Sequence, residues 1–219
     1  MAITNWATLK SAVQTYVARS DTTFVNQIPL FVSNAEERIF HGVGMPVDPL
    51  FSEPLRADEM LTATTLAMTS GAGTIPADCL AVRRLDRDSD TIGIQPLSPD
   101  AFAMRVAHND SGRIRWYTIE GRTIKTAPGG YTGNINILYY ARPTGISEAN
   151  TTNVVLTARP MLYLYGTLLE AFTFINADDK AQKYLAMFRS LMSGVNRTAV
   201  AIEYGGGKKS AKPRSNRVI

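Results

Sequence analysis

A run of fifteen residues, Met161 to Ile175, constrains this chain more than any other feature. It reads Met-Leu-Tyr-Leu-Tyr-Gly-Thr-Leu-Leu-Glu-Ala-Phe-Thr-Phe-Ile, and its few polar groups are regularly placed. Tyr163, Thr167 and Glu170 fall on one narrow stripe at helical spacing. A helix that is apolar nearly all round is a buried helix. At about 1.5 Å per residue this one is roughly 22 Å long, too short to span a bilayer comfortably. It therefore predicts the centre of a protein core. Pro160 suits its first turn, where the missing N–H is not needed. Gly166 costs about 1 kcal/mol relative to Ala in mid-helix, which predicts close approach by a neighbouring backbone. The polar stripe of Tyr163, Thr167 and Glu170 stands out from a pure core and is the candidate subunit interface.

Asn176 to Asp179 then breaks the chain and offers N-caps. Ala181, Tyr184, Leu185, Phe188, Leu191, Met192 and Val195 follow on one face, with Lys180, Gln182, Lys183, Arg189 and Ser193 on the other. That is a second, amphipathic helix, and a short polar link between two helices makes an αα-hairpin. Near the N-terminus, Thr4 or Asn5 caps a helix whose stripe is Trp6, Leu9, Val13, Tyr16 and Val17. Asp21 to Thr23 caps the next, with Phe24, Ile28, Phe31, Val32, Ala35, Ile39 and Phe40 inward and Glu36-Glu37-Arg38 outward. Pro29 lies inside that pattern, so a kink or two abutting helices is expected. Gly42 and Gly44 stop it, and Met45 to Pro54 is an irregular linker.

The period changes after Arg56. Strands are expected at Met60 to Met68, Leu80 to Leu85, Thr91 to Leu97 and Asn134 to Arg142, with Thr74 to Pro76 as a short return and a hairpin over Arg115 to Lys125. A short helix over Ala101 to Ala107 starts behind Ser98-Pro99-Asp100, and Pro143 to Thr152 is a loop. Strands enclosed between helical runs argue an α+β fold: an antiparallel helical bundle from residues 1–58 and 151–204, a β-rich insertion over 59–150, and an extended C-terminal arm over 205–219.

Charge singles out the arm. The chain carries 23 basic and 19 acidic residues, a net +4. Lys208, Lys209, Lys212, Arg214 and Arg217 supply +5 with no acid nearby, so the rest of the chain sums to −1. A basic tail on a near-neutral body is an interaction arm. Gly205 to Gly207 makes it a flexible tether, and Val218-Ile219 gives it an apolar end that phosphate neutralisation does not require. The tail has no aromatic residues, so base stacking is not supported. The lone Cys79 rules out an internal disulfide. No basic n-region or long apolar run follows Met1, so no signal peptide is expected, nor any membrane segment.

The residues that carry chemistry elsewhere do not assemble here. His41 ends a helix, where a cation is favourable, and His108 lies in a polar loop. Asp86, Asp88 and Asp90 space like a calcium loop, but that loop needs Gly sixth and an acid twelfth, where this chain has Thr91 and Leu97. Gly205 to Ser210 imitates a phosphate loop, yet Ile202 occupies the first glycine slot and Lys209 the Ser/Thr slot. A glycosidase would need paired carboxylates in a cleft; Asp100 and Glu120 are the two acids considered, and nothing in their spacing selects them. No catalytic residue, metal ligand or cofactor is expected.

An ordered set of short motifs remains. It comprises Asp21…Phe24…Ile28-Pro29…Phe31…Ala35-Glu36…Arg38-Ile39, then Ile75-Pro76-Ala77-Asp78, then Tyr117-Thr118-Ile119-Glu120-Gly121. Leu138-Tyr139-Tyr140-Ala141-Arg142, Asn150-Thr151-Thr152-Asn153 and Tyr163-Leu164-Tyr165-Gly166…Leu169-Glu170-Ala171 complete it. Over roughly residues 5–200 the chain resembles the head-to-tail adaptor (connector) proteins of tailed bacteriophages, with Ile75 where the family carries Leu. The resemblance implies a virion protein made in the host cytoplasm and assembled, usually as twelve copies, into a homo-oligomeric ring under the portal protein at the capsid vertex. It implies C-terminal arms that reach the portal, a lower face that receives tail or nozzle proteins, non-specific passage of genomic DNA, and no enzymatic activity. The portal-binding arm would then be Lys208, Lys209, Lys212, Arg214, Arg217, Val218 and Ile219. The alternative from a different class is a DNA-binding module acting through the same basic tail.

Overall fold

The computed structural model describes residues 2–44, 51–87, 93–107 and 112–203. Among the described residues it is a mixed α+β fold with six helices and two sheets. The chain divides into two compact units, Met1–Asp58 with Arg159–Ile219, and Glu59–Ala158.

The helical unit is built round the apolar run. α1 (Trp6–Val17) starts at a capping box: Thr8 N–H donates to Asn5 Oδ1 at 2.9 Å and Asn5 N–H to Thr8 Oγ1 at 3.0 Å. α2 (Thr22–His41) starts at Asp21, whose Oδ1 accepts from Phe24 N–H at 3.0 Å. Pro29 does not divide α2. Its ring lies on the exposed side, and the carbonyl four residues earlier, that of half-buried Val25, loses its N–H partner. Gly42 ends the helix at φ 73, its amide donating to Arg38 O at 3.1 Å.

α5 (Pro160–Phe174) carries Pro160 at its first position and buries nine residues, including Leu162, Leu164, Leu168 and Phe172. It packs against α1, α2 and α6 (Asp178–Glu203). Gly166 is the point of closest approach. A Cβ there would lie 3.0 Å from Ala35 Cβ on α2 and 3.3 Å from the Phe188 ring on α6. The neighbours that glycine admits are thus side chains, not a backbone. Asn176, at φ 55, turns α5 into α6, with Ala177 N–H on Phe172 O at 2.9 Å and Asn176 N–H on Thr173 O at 3.1 Å. That pair of bonds is a Schellman motif. α6 buries Ala181, Leu185, Phe188, Met192, Val195 and Ala199, and Tyr184 stacks on Phe172 with ring centroids 5.3 Å apart. Tyr16, expected on the inner stripe of α1, is instead 54% exposed.

The other unit holds both sheets. β7 (Gly133–Ala141) is the centre of a three-stranded antiparallel sheet, flanked by β1 (Leu61–Met68) and β3 (Cys79–Arg87). Ile135, Ile137 and Tyr139 alternate along β7 into the core, the period-2 signature of a half-buried strand. The second sheet runs β2 (Ala72–Thr74), β6 (Thr123–Ala127), β5 (Trp116–Glu120) and β4 (Gln95–Pro96). The short return after β1 makes a single bridge, Thr69 with Ala72, and then leaves β1: β2 pairs with β6. Of the strand expected over 91–97, residues 91 and 92 lie outside the described residues; in the rest, Gln95–Pro96 pairs parallel to β5, with Gln95 N–H on Arg115 O and Leu97 N–H on Tyr117 O, both at 2.8 Å, so Pro96 takes the outer side of an edge strand. α3 (Pro99–Ala107) packs on β5 through Phe102. The expected loop after Ala141 is followed by a short helix, α4 (Val154–Ala158).

Candidate functional site

The motif residues gather into two polar clusters, one in each unit. In the helical unit, Glu36 was expected on the wet face of α2 but is only 6% exposed. The Tyr163 hydroxyl donates to its Oε1 at 3.1 Å. Two residues further along α2 and seven further along α5, Arg38 Nε meets Glu170 Oε1 at 2.5 Å, and Asn34 Nδ2 reaches Glu170 Oε2 at 3.4 Å. The ion pair is partly buried, with side chains 25% and 13% exposed. An open cleft of about 280 Å³ adjoins it, lined by Asn34, Glu37, Arg38, His41, Gly42, Val43 and Glu170. His41 sits in the last turn of α2, its Nε2 3.6 Å from Glu37 Oε2, where the helix end favours a cation.

The candidate interface stripe is therefore split. Tyr163 and Thr167 are fully buried within this chain, the first against α2, so neither lies at a surface. Thr167 Oγ1 has no hydrogen-bond partner among the described residues. Glu170, at the rim with Arg38 and Asn34, is the one member that reaches solvent.

In the β-rich unit, the Tyr139 hydroxyl lies 3.2 Å from Asp78 Oδ1. Burial, and then the Asp78 charge, push that phenol above its usual value of 10.0. The Asp78 carbonyl accepts from Arg142 N–H at 2.7 Å. Arg122 ties down the segment before Asp78 by donating to the carbonyls of Ile75, at 3.1 Å, and Pro76. Asn150 Nδ2 holds Gly145 O at 2.8 Å, Asn153 Nδ2 holds Thr144 O at 3.0 Å, and Asn153 Oδ1 caps α4 through Leu156 N–H at 2.8 Å. These groups surround an open cavity of about 370 Å³ that Glu59, Asp78, Arg142, Asn150 and Asn153 help to line. In each case the side chain is engaged with a carbonyl, an amide or a neighbouring side chain of the scaffold. The clusters fix loops and helix pairs.

The remaining acids are distributed over the surface. Glu120 pairs with Lys125 Nζ at 2.6 Å on the β5–β6 hairpin, Asp86 with Arg84 Nε at 2.6 Å, and Asp100 is exposed in the first turn of α3. Cys79 is partly buried at the start of β3. Among the described residues no group of three or more His, Cys, Asp or Glu is placed to hold a metal ion, and no helix is long and apolar enough to cross a membrane. Asp88, Asp90, His108 and the arm residues Lys208, Lys209, Lys212, Arg214, Arg217, Val218 and Ile219 lie outside the described residues.

Both clusters draw most of their bonded side chains from the ordered motifs, and residues 4–208 as a whole match the family model described as SU10 adaptor protein. The chain belongs to the SU10 adaptor protein family. This is a phage head-tail adaptor family, and membership makes the protein a structural component of the bacteriophage virion at the junction of head and tail. Comparison with curated proteins gives no significant match. The SU10 adaptor match takes in the glycines of the arm and stops at Lys208, leaving 209–219 beyond it. Within the SU10 adaptor scaffold, three roles escaped the reading of the sequence: Glu36 as an acceptor for Tyr163, Asp78 as the partner of Tyr139, and Asn153 as the cap of α4. Only the last had a local signal, an Asn directly before Val154-Val155-Leu156.

Proposed function

We propose that this protein forms a closed ring, in twelve copies, between the portal at the capsid vertex and the tail, that its bore lets the genome pass, and that it works without catalysis. Family membership over residues 4–208 carries this reading. The charge distribution supports it. A body near −1 limits repulsion between copies and adhesion to passing DNA, while +5 is confined to 205–219. A ring requires two different complementary surfaces on each copy, a heterologous interface that closes. The helical unit, read as an antiparallel bundle, offers the Asn34–Arg38–Glu170 rim as one of them.

In this reading the arm is the latch onto the portal: Lys208, Lys209, Lys212, Arg214 and Arg217 supply charge, and Val218-Ile219 an apolar end. An arm that orders only on its partner adds contact area at an entropic cost, which suits assembly triggered by the portal. The test is electron microscopy and co-sedimentation of the chain mixed with purified portal. Full-length protein is expected to form a ring on the portal, and protein ending at residue 204 is expected to fold but not to bind. Equal portal binding by the truncated protein would refute the arm assignment.

A further inference from the structure

The helical unit has two sides that differ in charge, and each exposes large apolar groups. One turn from Asn34 along α2 stands Leu30, 54% exposed, and one turn from Glu170 along α5 stands Phe174, 45% exposed. The Phe174 ring meets that of Phe31 on α2 with centroids 5.3 Å apart. Leu30, Asn34, Glu37 and His41 follow one another at helical spacing on the outer stripe of α2. The Asn34–Arg38–Glu170 rim therefore runs on into an apolar end. Arg38 cancels Glu170, and Glu37 adds an acid, so with histidine counted as neutral this side sums to −1.

The second side carries tyrosines. At about 100° per residue, Tyr165 stands about 140° round α5 from Glu170 and about 180° from Phe174. Its ring lies 5.9 Å from that of Tyr184 on α6, centroid to centroid. Tyr16 of α1 is more than half exposed. Burial first, and then Tyr16 and Tyr165, raise the Tyr184 phenol above its usual 10.0, so the three phenols share this side. Met161, one turn before Tyr165, is exposed as well. Lys180, one turn before Tyr184, holds its Nζ 5.3 Å from the centre of the Phe172 ring. Lys183 is offset by Asp179, four residues before it, and Asp178 lies about 120° round α6 from Tyr184. This side sums to +1.

We infer that the two sides are the halves of one head-to-tail contact: the side with Leu30, Glu37, Glu170 and Phe174 on one copy receives the side with Tyr16, Tyr165, Lys180 and Tyr184 of the next. The inference rests on the adaptor reading, which calls for two different surfaces on each copy and leaves the second unnamed. Charge selects the pairing. Either side set against itself would oppose −1 to −1 or +1 to +1, and like charges brought together suppress a wrong contact. The surplus is one charge a side, so apolar contact supplies affinity while charge fixes orientation. Tyrosine suits the receiving face, since its ring buries against Leu30 and Phe174 while its hydroxyl finds a hydrogen-bond partner.

The test counts rings by electron microscopy of full-length protein mixed with purified portal. Glu37→Lys alone, or Lys180→Glu alone, opposes like charges at every contact and should lower ring yield about tenfold. An equal mixture of those two variants should restore the wild-type yield, because copies that alternate round an even-numbered ring oppose unlike charges throughout. Leu30→Asp, at an exposed position, should keep the wild-type melting temperature and lower ring yield about tenfold. A mixture no better than its two parts, or wild-type assembly by Leu30→Asp, would overturn the inference. So would normal assembly by Lys180→Glu, the result expected if the cations of the arm, and not the next copy, met Glu37. Where the wild type still rings the portal, these outcomes leave the adaptor reading standing. No wild-type ring on the portal removes that reading and this inference with it.

Discussion

At the scale of single residues, two helix ends carry stability that can be measured directly. Ala18 closes α1 at φ 56, with its amide on Thr15 O at 3.3 Å and the Arg19 amide on Gln14 O at 3.2 Å. The bonding is that of a Schellman end, but the residue is one whose Cβ makes the left-handed conformation cost about 1–2 kcal/mol. Glycine avoids that clash but has more freedom to lose on folding. Since Ala18 is exposed and fills no core space, Ala18→Gly should raise unfolding stability by about 0.5–1 kcal/mol in a urea titration. Asp21 is the reverse case, a residue already suited to its place. Its bond from the Phe24 amide, and then that from Arg19 Nε at 2.8 Å, hold its carboxyl below the usual 3.8. A carboxylate with a depressed folded pKa stabilises the fold above the unfolded value and loses that contribution as pH falls through the folded one. Asp21→Ala should therefore lower the melting temperature by a constant amount from pH 7 to about pH 5, and the gap to wild type should close as the buffer is taken toward pH 2. A gap that stays constant to pH 2 would show that the charge is not involved.

At the scale of elements, the decisive contact is the crossing of α5 with α2 and α6 at Gly166. Replacing Gly in a helix interior gains about 1 kcal/mol of helix propensity. Forcing atoms into a packed core costs typically 1–3 kcal/mol and occasionally more. With Ala35 Cβ already 3.0 Å from where a Cβ would stand, crowding wins for any large side chain. Gly166→Leu should destabilise by about 2 kcal/mol or more, read as a lower urea midpoint. Periodicity in the sequence made the helices legible, since the stripes of α2 and α6 are long enough to show their 3.6-residue period. The glycine requirement was legible for the same reason: an interior Gly in an apolar helix is unfavourable unless something lies close. The sheets were less so. β4 is only two residues long and its parallel partner lies 21 residues on, so no local pattern reports their pairing. β2 pairs with a strand fifty residues away. Glu36 was misplaced because three charged residues in a row read as a solvated face, and only the tertiary position of Tyr163 shows that one of them turns inward. The same packing covers Tyr163 and Thr167, which left the partly buried Glu170 as the one member of the stripe that reaches solvent.

At the scale of the whole molecule, the separation of charge decides between two uses of the arm. If the arm were a DNA-binding device, its five cations would release counterions, and the logarithm of affinity for duplex DNA would fall with the logarithm of salt at a slope near −4.5. Such binding is sequence-independent and weakens steeply between 50 and 200 mM salt, leaving a dissociation constant of about 10⁻⁴–10⁻⁶ M at physiological salt. A latch onto a protein has a different signature, because Val218 and Ile219 can contribute apolar burial that salt does not screen. The discriminating set is the wild type, a variant with Lys208, Lys209 and Lys212 changed to Gln, and a variant with Val218 and Ile219 changed to Ser. On the portal, the Gln variant should lose affinity at 50 mM salt and converge on the wild type near 500 mM. The Ser variant should be weaker than wild type by a similar factor at both. On duplex DNA, the Ser variant should bind as the wild type does, since its charge is unaltered. Portal affinity that ignored the Ser changes but fell with salt at the full slope would make the arm a generic polycation and favour the nucleic-acid reading over the latch.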